Sequence, residues 1–206
     1  MTPQIQSSHP RLLAVCVGQV APLFVRSSDL AIPKRVLSGI RKTVVSNAAN
    51  PVLQFVGPLG LEGDEQCDLT VHGGISKALY AYPHSHYSFW VQALEQHAGR
   101  ADRFSQPGAV GENLSVEGLT EDTVYLGDEW TIGEVVLRVT EPREPCYKFN
   151  AAVGWSGAAK AMMQRGCCGW YLSVVTPGVL AADSVIDVRP GPRRLSVQQA
   201  FRKKSV

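Results

Sequence analysis

One cysteine is a candidate reactive group because of the residues around it. Cys146 lies within the segment Thr-Glu-Pro-Arg-Glu-Pro-Cys-Tyr-Lys-Phe-Asn, residues 140–150. Pro142 and Pro145 fix φ and lack an N–H, so the chain must leave any sheet here and form a stiff loop. Arg143 and Lys148 bring positive charge, which favours the thiolate that attacks electrophiles and binds metals. We therefore expect a functional thiol of lowered pKa; a small buried cysteine is the ordinary alternative.

Two closely spaced glycine loops are the second feature that suggests chemistry. They are Gly-Leu-Glu-Gly-Asp at residues 60–64 and Val-His-Gly-Gly at residues 71–74. Such loops expose backbone N–H groups that can hold an anion. A phosphate held by Gly73, Gly74 and Lys77 is one interpretation, and two tight turns between short strands are the other. A histidine in such a turn is more often a satisfied turn residue than a ligand, so we assign His72 no metal.

The remaining polar and thiol candidates are open to two interpretations each. Gly-Glu-Asn-Leu at residues 111–114, followed by Ser115, offers groups that could hydrogen-bond a heterocycle, but Asn and Ser also form ordinary turns and caps. Cys167 and Cys168 are adjacent, so their side chains cannot easily converge on one metal, although one of them could face a pocket. The spacing of these residues alone does not distinguish a binding role from a structural one.

The elements that position these residues are expected to be mainly strands. Nineteen Gly and 13 Pro among 206 residues indicate many turns in a globular chain. β-branched or alternating runs predict strands over residues 11–20, 40–46, 77–82, 123–126, 129–132, 134–140, 170–176 and 184–189. Helices are predicted from Pro83 to a stop at Gly99, and over residues 151–164. Residues 1–10 show no periodicity and are expected to be loose.

Composition argues against several classes of function. The net charge of +2 is too small to indicate a nucleic-acid groove, and no apolar run is long enough to span a bilayer. The N-terminal region does not have the pattern of a signal peptide. The five cysteines form neither an even set nor a CxxC pair, which argues against a disulfide framework and favours a reducing cytoplasm. The basic residues near the C-terminus are expected to lie in a solvated tail over residues 191–206.

Five motifs in a fixed order resemble the MOSC domain family, named for the C-terminal domain of molybdenum cofactor sulfurase. They are residues 60–64, the Val-His-Gly-Gly loop with Lys77 and Tyr80, residues 111–114, Tyr-Leu-Gly-Asp at 125–128, and Pro-Arg-Glu-Pro-Cys-Tyr-Lys at 142–148. An ordered set is far more specific than any single motif, and the nearest likeness is to the YiiM branch. The resemblance implies a mainly β, MOSC-type β-barrel with a few peripheral α-helices over residues 11–190.

The resemblance also implies a cofactor and residues that bind it. The cofactor is molybdenum carried by molybdopterin, with Cys146 as the thiolate ligand of the metal, since a thiolate suits a soft centre. Related domains draw this thiolate from a later loop, which keeps Cys167 and Cys168 as alternatives. Residues expected to hold the pterin phosphate are Gly73, Gly74, Lys77, Arg143 and Lys148, and those expected to recognise the pterin edge are Asn113 and Ser115.

The implied activity is that of an oxidoreductase that reduces N-hydroxylated compounds, such as N-hydroxylated bases. Electrons would come from a separate flavin or iron–sulfur reductase, and His72 or Tyr147 would donate a proton. A non-catalytic carrier of the cofactor or of sulfur is the alternative, and an anion-binding β domain is a third. Members of this branch usually continue into a three-helix segment, of which residues 191–206 have room for the first helix only. A homodimer is one of the assembly states that the sequence allows.

Overall fold

The computed structural model of the protein describes residues 9–26, 33–67, 73–99 and 102–204. Most of the segment 1–10 lies outside these ranges, and so does His72. The strands are β1 (Arg11–Val17), β2 (Ala21–Val25), β3 (Lys34–Ser38), β4 (Thr43–Asn47), β5 (Gln54–Gly57), β6 (Gly60–Leu61), β7 (Leu79–Pro83), β8 (Leu114–Glu117), β9 (Glu129–Ile132), β10 (Val135–Pro142), β11 (Trp170–Thr176), β12 (Gly178–Leu180) and β13 (Asp187–Arg189). The α-helices are α1 (Tyr87–Ala98), α2 (Tyr147–Val153), α3 (Ala158–Arg165) and α4 (Val197–Lys204). Short 3-10 helices cover Ile75–Lys77, His84–His86 and Asp102–Ser105.

The body of the described structure is one eight-stranded sheet in the order β13-β9-β10-β11-β7-β8-β1-β4. Its neighbours are antiparallel except for β7 and β8, which run parallel. The sheet curls into a half-barrel, and β5, β6 and β12 form a separate small sheet while β2 and β3 form a hairpin. Strands outweigh helices, so the prediction of a mainly β, barrel-like domain with a few helices is confirmed.

Alternation along β10 explains why this part of the sheet forms the core. Val135, Leu137 and Val139 are buried on one face, as expected for a strand with one face against the interior. Leu137 pairs with Trp130 of β9, and Trp130 contacts Trp170 of β11 edge to face at 5.6 Å. These large buried side chains fix the position of the end of β10, where the loop bearing the cysteine begins.

Two of the predicted elements are wrong. Residues 123–126 form a turn instead of a strand, with a single bridge from Tyr125 to Ser196. Residues 151–164 form parts of two helices, α2 and α3, because Gly154 adopts the left-handed conformation that ends α2. The hairpin of β2 and β3 was not predicted, since its apolar residues Phe24 and Leu37 face solvent.

The basic segment near the C-terminus is more ordered than the predicted solvated tail. Residues Val197, Ala200 and Phe201 of α4 are buried, since they share one face of the helix at intervals of three and four residues. Lys204 at the end of α4 pairs with Glu144 at 2.8 Å and Glu141 at 3.3 Å, and so links the helix to the loop after β10. None of the helices in the described ranges is long and apolar enough to cross a membrane.

Candidate functional site

A pocket with Cys146 in its wall is the candidate functional site, and we call it the Cys146 pocket. It is a cleft that is partly open to solvent. Among its lining residues are Lys42, Asp64, Asn113, Arg143, Cys146 and Tyr171. A cleft lined by a thiol, cations and other polar side chains is the kind of place in which small molecules and cofactors bind.

The loop between β10 and α2 places Cys146 at this wall. Pro142 is the last residue of β10, and Cys146 is the extended residue that precedes α2, with φ −118° and ψ 174°. The Phe149 N–H donates to the Cys146 carbonyl oxygen at 2.9 Å. Cys146 is intermediate in exposure, whereas Phe149 is buried in the core. The prediction that the prolines hold this thiol on a stiff loop at a strand end agrees with this geometry.

Arg143 is a buried cation in the same pocket. Its residue is 6% exposed, and its guanidinium carbon lies 4.8 Å from the ring centre of Tyr80 and 4.9 Å from that of Phe149. Within the described part of the chain, no carboxylate lies within ion-pair distance of Arg143. Burial of a charge without a counter-charge is unfavourable, so an anionic ligand would stabilise this arrangement.

Two more cations that were predicted to bind phosphate also line the pocket. Lys148 Nζ, from the first turn of α2, donates to the Leu37 carbonyl oxygen at 3.0 Å, and so connects α2 to the β2–β3 hairpin. Lys77 Nζ lies 3.7 Å from a carboxylate oxygen of Glu141 and 5.5 Å from the ring centre of Tyr171. Both cations therefore lie at the wall of the pocket with contacts that hold them in place.

Asn113 has a structural role that its motif did not predict. Its Oδ1 accepts the Tyr80 N–H at 3.1 Å, and its Nδ2 donates to the Cys16 carbonyl at 3.2 Å and to Asp64 Oδ2 at 2.9 Å. Both of its N–H groups are therefore committed within the protein. Asp64 also accepts the Gly18 N–H at 2.7 Å and pairs with Lys42. Sequence reasoning missed Lys42, because no motif marks it.

Glu112, from the same motif, is a buried anchor of the loop before β8. Its carboxylate accepts the Gly108 N–H at 2.8 Å, the Val110 N–H at 3.1 Å and the Tyr87 hydroxyl. Gly111 beside it has φ +90°, and a Cβ there would lie 2.8 Å from a side-chain carbon of Ile40. The glycine and the carboxylate thus shape this loop, which forms part of the pocket wall.

We expect Glu112 to make stability depend on pH. Burial raises the pKa of Glu112 above 4.5, the value for an exposed carboxyl, so the folded state binds more protons than the unfolded state above that pH. The free energy of unfolding should then fall as pH rises, by about 1.4 kcal/mol for each unit by which the pKa is raised. Urea unfolding at pH 5 and pH 8 should show a smaller fall for Glu112→Gln than for the wild type. Glu62→Gln, at an exposed position, should keep the wild-type fall; equal falls in all three proteins would contradict the expectation.

Several predicted site residues lie away from the Cys146 pocket. Gly73 and Gly74 line a neighbouring groove, and the Gly74 N–H donates to Gln66 Oε1 at 3.0 Å instead of facing the pocket. Ser115 is fully buried in β8, where its hydroxyl has no partner among the described residues. Tyr147 is 55% exposed and does not line the pocket. Both faces of β8 are covered at this point, since Leu114, Ser115 and Val116 are all buried, and the motif does not show this.

The two alternative thiols are in the core. Cys167 and Cys168 are buried, and their carbonyl oxygens accept the hydroxyls of Tyr82 at 3.1 Å and of Tyr80 at 2.8 Å. Burial raises the pKa of Cys167 to about 12 and raises that of Cys168 further. Neither lines the pocket, so geometry favours Cys146 as the thiol that meets a ligand.

We expect alkylation to separate these thiols. In the native protein iodoacetamide should modify Cys146 and the exposed Cys67, while Cys16, Cys167 and Cys168 stay unmodified for much longer, because they are buried and their pKa values are raised by burial. Peptide mass mapping over time measures this, and the urea-unfolded protein, in which all five thiols should react, is the control. Faster reaction at Cys168 than at Cys146 would contradict the expected order.

Comparison with families and proteins of known sequence gives a family match and several relatives. The model of the MOSC domain matches residues 68–187. Protein YiiM of Escherichia coli (strain K12) is 43% identical over 142 residues, which are 69% of this chain and 62% of that protein. A protein named Reductase from Gibberella moniliformis is 31% identical over 185 residues, which are 85% of this chain and 31% of that protein. The chain thus spans less than two thirds of either relative.

Solved structures give the same result at the level of the fold. The crystal structure of YiiM from Geobacillus stearothermophilus has a TM-score of 0.69 and 28% identity, over 95% of this chain and 83% of that one. The crystal structure of YiiM from Escherichia coli has a TM-score of 0.64 and 32% identity, over 89% of this chain and 76% of that one. The predicted resemblance is confirmed by these matches.

Proposed function

We propose a function from the premise that this chain belongs to the MOSC domain family: it binds the molybdenum cofactor in the Cys146 pocket. The family is associated with binding of this cofactor. One observation carries the proposal. A partly exposed thiol, Cys146, and a buried guanidinium without a carboxylate partner among the described residues, Arg143, line the same pocket. This combination suits a ligand with a thiolate-binding metal at one end and an anionic group at the other.

The donor set fits each part of the cofactor. A dithiolene supplies sulfur ligands of its own, so the protein needs to contribute only one thiolate, for which Cys146 is the residue on the pocket wall. Arg143 and Lys148 would hold the terminal phosphate through charge-assisted hydrogen bonds. Lys77 lies at the border with the neighbouring groove and would add to the positive field there.

The activity we propose is reduction of N-hydroxylated compounds, such as N-hydroxylated bases. The bound cofactor would supply a two-electron redox centre that can accept an oxygen atom. The protein would bind the substrate beside the cofactor, orient its N–O group and deliver protons. That a similar protein from Gibberella moniliformis is named Reductase supports this class of reaction. The proposal includes three further predictions. Electrons come from a flavin or iron–sulfur reductase, the protein forms a homodimer, and it is located in the cytoplasm.

Metal and pterin analysis with an activity assay tests the proposal. The protein, purified from a host that makes the cofactor, should contain molybdenum and pterin near one equivalent each. It should then reduce an N-hydroxylated purine when a reduced viologen dye supplies the electrons. A preparation that reproducibly lacks both metal and pterin would refute cofactor binding. A fully loaded preparation without N–O reduction would refute the catalytic part and leave a carrier.

A further inference from the structure

The least explained group in the Cys146 pocket is the ammonium of Lys42. The side chain of Lys42 is 7% exposed and that of its partner Asp64 is 4% exposed, so the pair is buried at the pocket wall. An ammonium carries three N–H donors. Within the described ranges only one acceptor, Asp64 Oδ1, meets Lys42 Nζ. Unused donors on a buried ammonium are unfavourable unless water or a ligand supplies acceptors, and a ligand in this pocket would meet them first.

The surroundings of Asp64 hold this pair in one place. Its carboxylate also accepts the Gly18 N–H at 2.7 Å and the Asn113 Nδ2–H at 2.9 Å. The amide of Asn113 is itself fixed by Tyr80 and Cys16. Asp64 and Asn113 are therefore positioning residues, which keep the Lys42 ammonium oriented although its side chain is long and flexible.

Lys42 differs from the cations that we assign to the phosphate because its charge is balanced by a carboxylate. Asp64 neutralises Lys42, whereas Arg143 has no carboxylate partner among the described residues. A phosphate dianion would be drawn to the uncompensated cation, because a nearby carboxylate repels it. A neutral oxygen, such as that of an N-hydroxyl group, suits the compensated ammonium.

We infer that Lys42 is a catalytic residue that binds the N-hydroxyl oxygen of the substrate and donates a proton to it as the N–O bond breaks. The inference rests on the proposed function. The overall reaction is R₂N–OH with two electrons and two protons giving R₂N–H and water, the electrons coming from the reductase. Lys42 Nζ supplies the proton that joins the departing oxygen, and solvent supplies the proton that joins nitrogen. Lys42 regains its proton from solvent after water leaves.

Lys42→Ala in the cofactor-loaded protein tests the inference. We expect its kcat for an N-hydroxylated purine to fall by about 10²- to 10⁴-fold, the usual contribution of general acid catalysis. The molybdenum content should stay at the wild-type level, and the equilibrium Kd for the substrate should rise. Ethylamine, which fits the space left by the lysine, should restore part of the rate. The rescued rate should depend on the pKa of the added amine when methylamine and ethylamine are compared with weaker bases, a dependence that a purely structural lysine would not show.

Lys42→Arg and a surface variant complete the experiment. Arginine keeps the pair with Asp64 but holds its proton at neutral pH, so kcat of Lys42→Arg should fall at least about tenfold. This variant tests the inference even if Lys42→Ala fails to fold. Lys203→Ala, at an exposed position, should match the wild type. Wild-type kcat in Lys42→Arg, or loss of molybdenum in a folded Lys42→Ala, would overturn the inference. A loaded wild type that reduces nothing would instead mean that the proposed function itself has failed.

Discussion

Cys146→Ser should lower the molybdenum content of the purified protein by at least about tenfold and abolish N–O reduction. Loss of even an outer-shell partner of a metal site costs about 10- to 100-fold in affinity or activity, and Cys146 is the proposed ligand itself. The free energy of unfolding of the cofactor-free protein should change by less than about 1 kcal/mol, because the side chain is not part of the packed core. Metal analysis by mass spectrometry and urea unfolding measure the two effects.

Two cysteine variants provide matched controls. Cys67→Ser changes another thiol of the same pocket and should retain the metal. Cys168→Ser should destabilise the protein by about 1–3 kcal/mol, because it buries a hydroxyl in the core, yet it should retain the metal. Loss of molybdenum in Cys168→Ser, together with normal molybdenum content in Cys146→Ser, would contradict our proposal. The metal ligand would then come from the later loop.

Arg143→Met should lower the bound pterin by at least about tenfold, since one hydrogen bond to a charged group contributes about 1.5–3 kcal/mol. Methionine is uncharged and about as long as the aliphatic part of arginine, so it removes the guanidinium over Tyr80 and Phe149 and fills much of the space that the arginine stem occupied. Inorganic phosphate at millimolar concentration should raise the Tm of the cofactor-free wild type by mass action, and this rise should be lost in the variant.

The matched control for this prediction is Arg202→Met, at an exposed position on α4. It removes the same charge from the protein without touching the pocket, so it should keep both the pterin and the phosphate effect. Pterin content and a phosphate-dependent Tm unchanged in Arg143→Met would show that the buried guanidinium does not meet the anion. A loss in Arg202→Met as well would indicate that net charge, and no defined site, produces the effect.

Much of the fold was predictable because its strands carry local signals. The alternation of β10, its flanking glycine turn and the apolar run of β11 are periodic patterns within a few residues, and all reappear in the sheet. The strands β2 and β3 were not predicted, because apolar side chains of this hairpin face solvent and give no such local signal. Order within the sheet, including the parallel pair of β7 and β8, depends on long-range pairing that no local window contains.

The candidate site divides in the same way. Cys146, Arg143 and Lys148 were predictable, because two prolines and two cations within seven residues restrict the loop whatever surrounds it. Gly73 and Gly74 were predicted to face the ligand as well, but the Gly74 N–H is bonded to Gln66, which comes from a different loop. These motifs predicted the chemical type of each side chain or backbone group, but they did not predict the direction in which it points.

The sequence by itself determined the chemical character of the reactive loop, which depends on residues close together along the chain, and the family, which depends on the order of five motifs. Only the tertiary structure decided which groups share a pocket. It brought Lys42 and Asp64 together from separate segments, committed the amide of Asn113 to the protein and buried Cys167 and Cys168. The physical reason is that strand pairing and alternation set the direction of a side chain, and that charge partners are chosen through space.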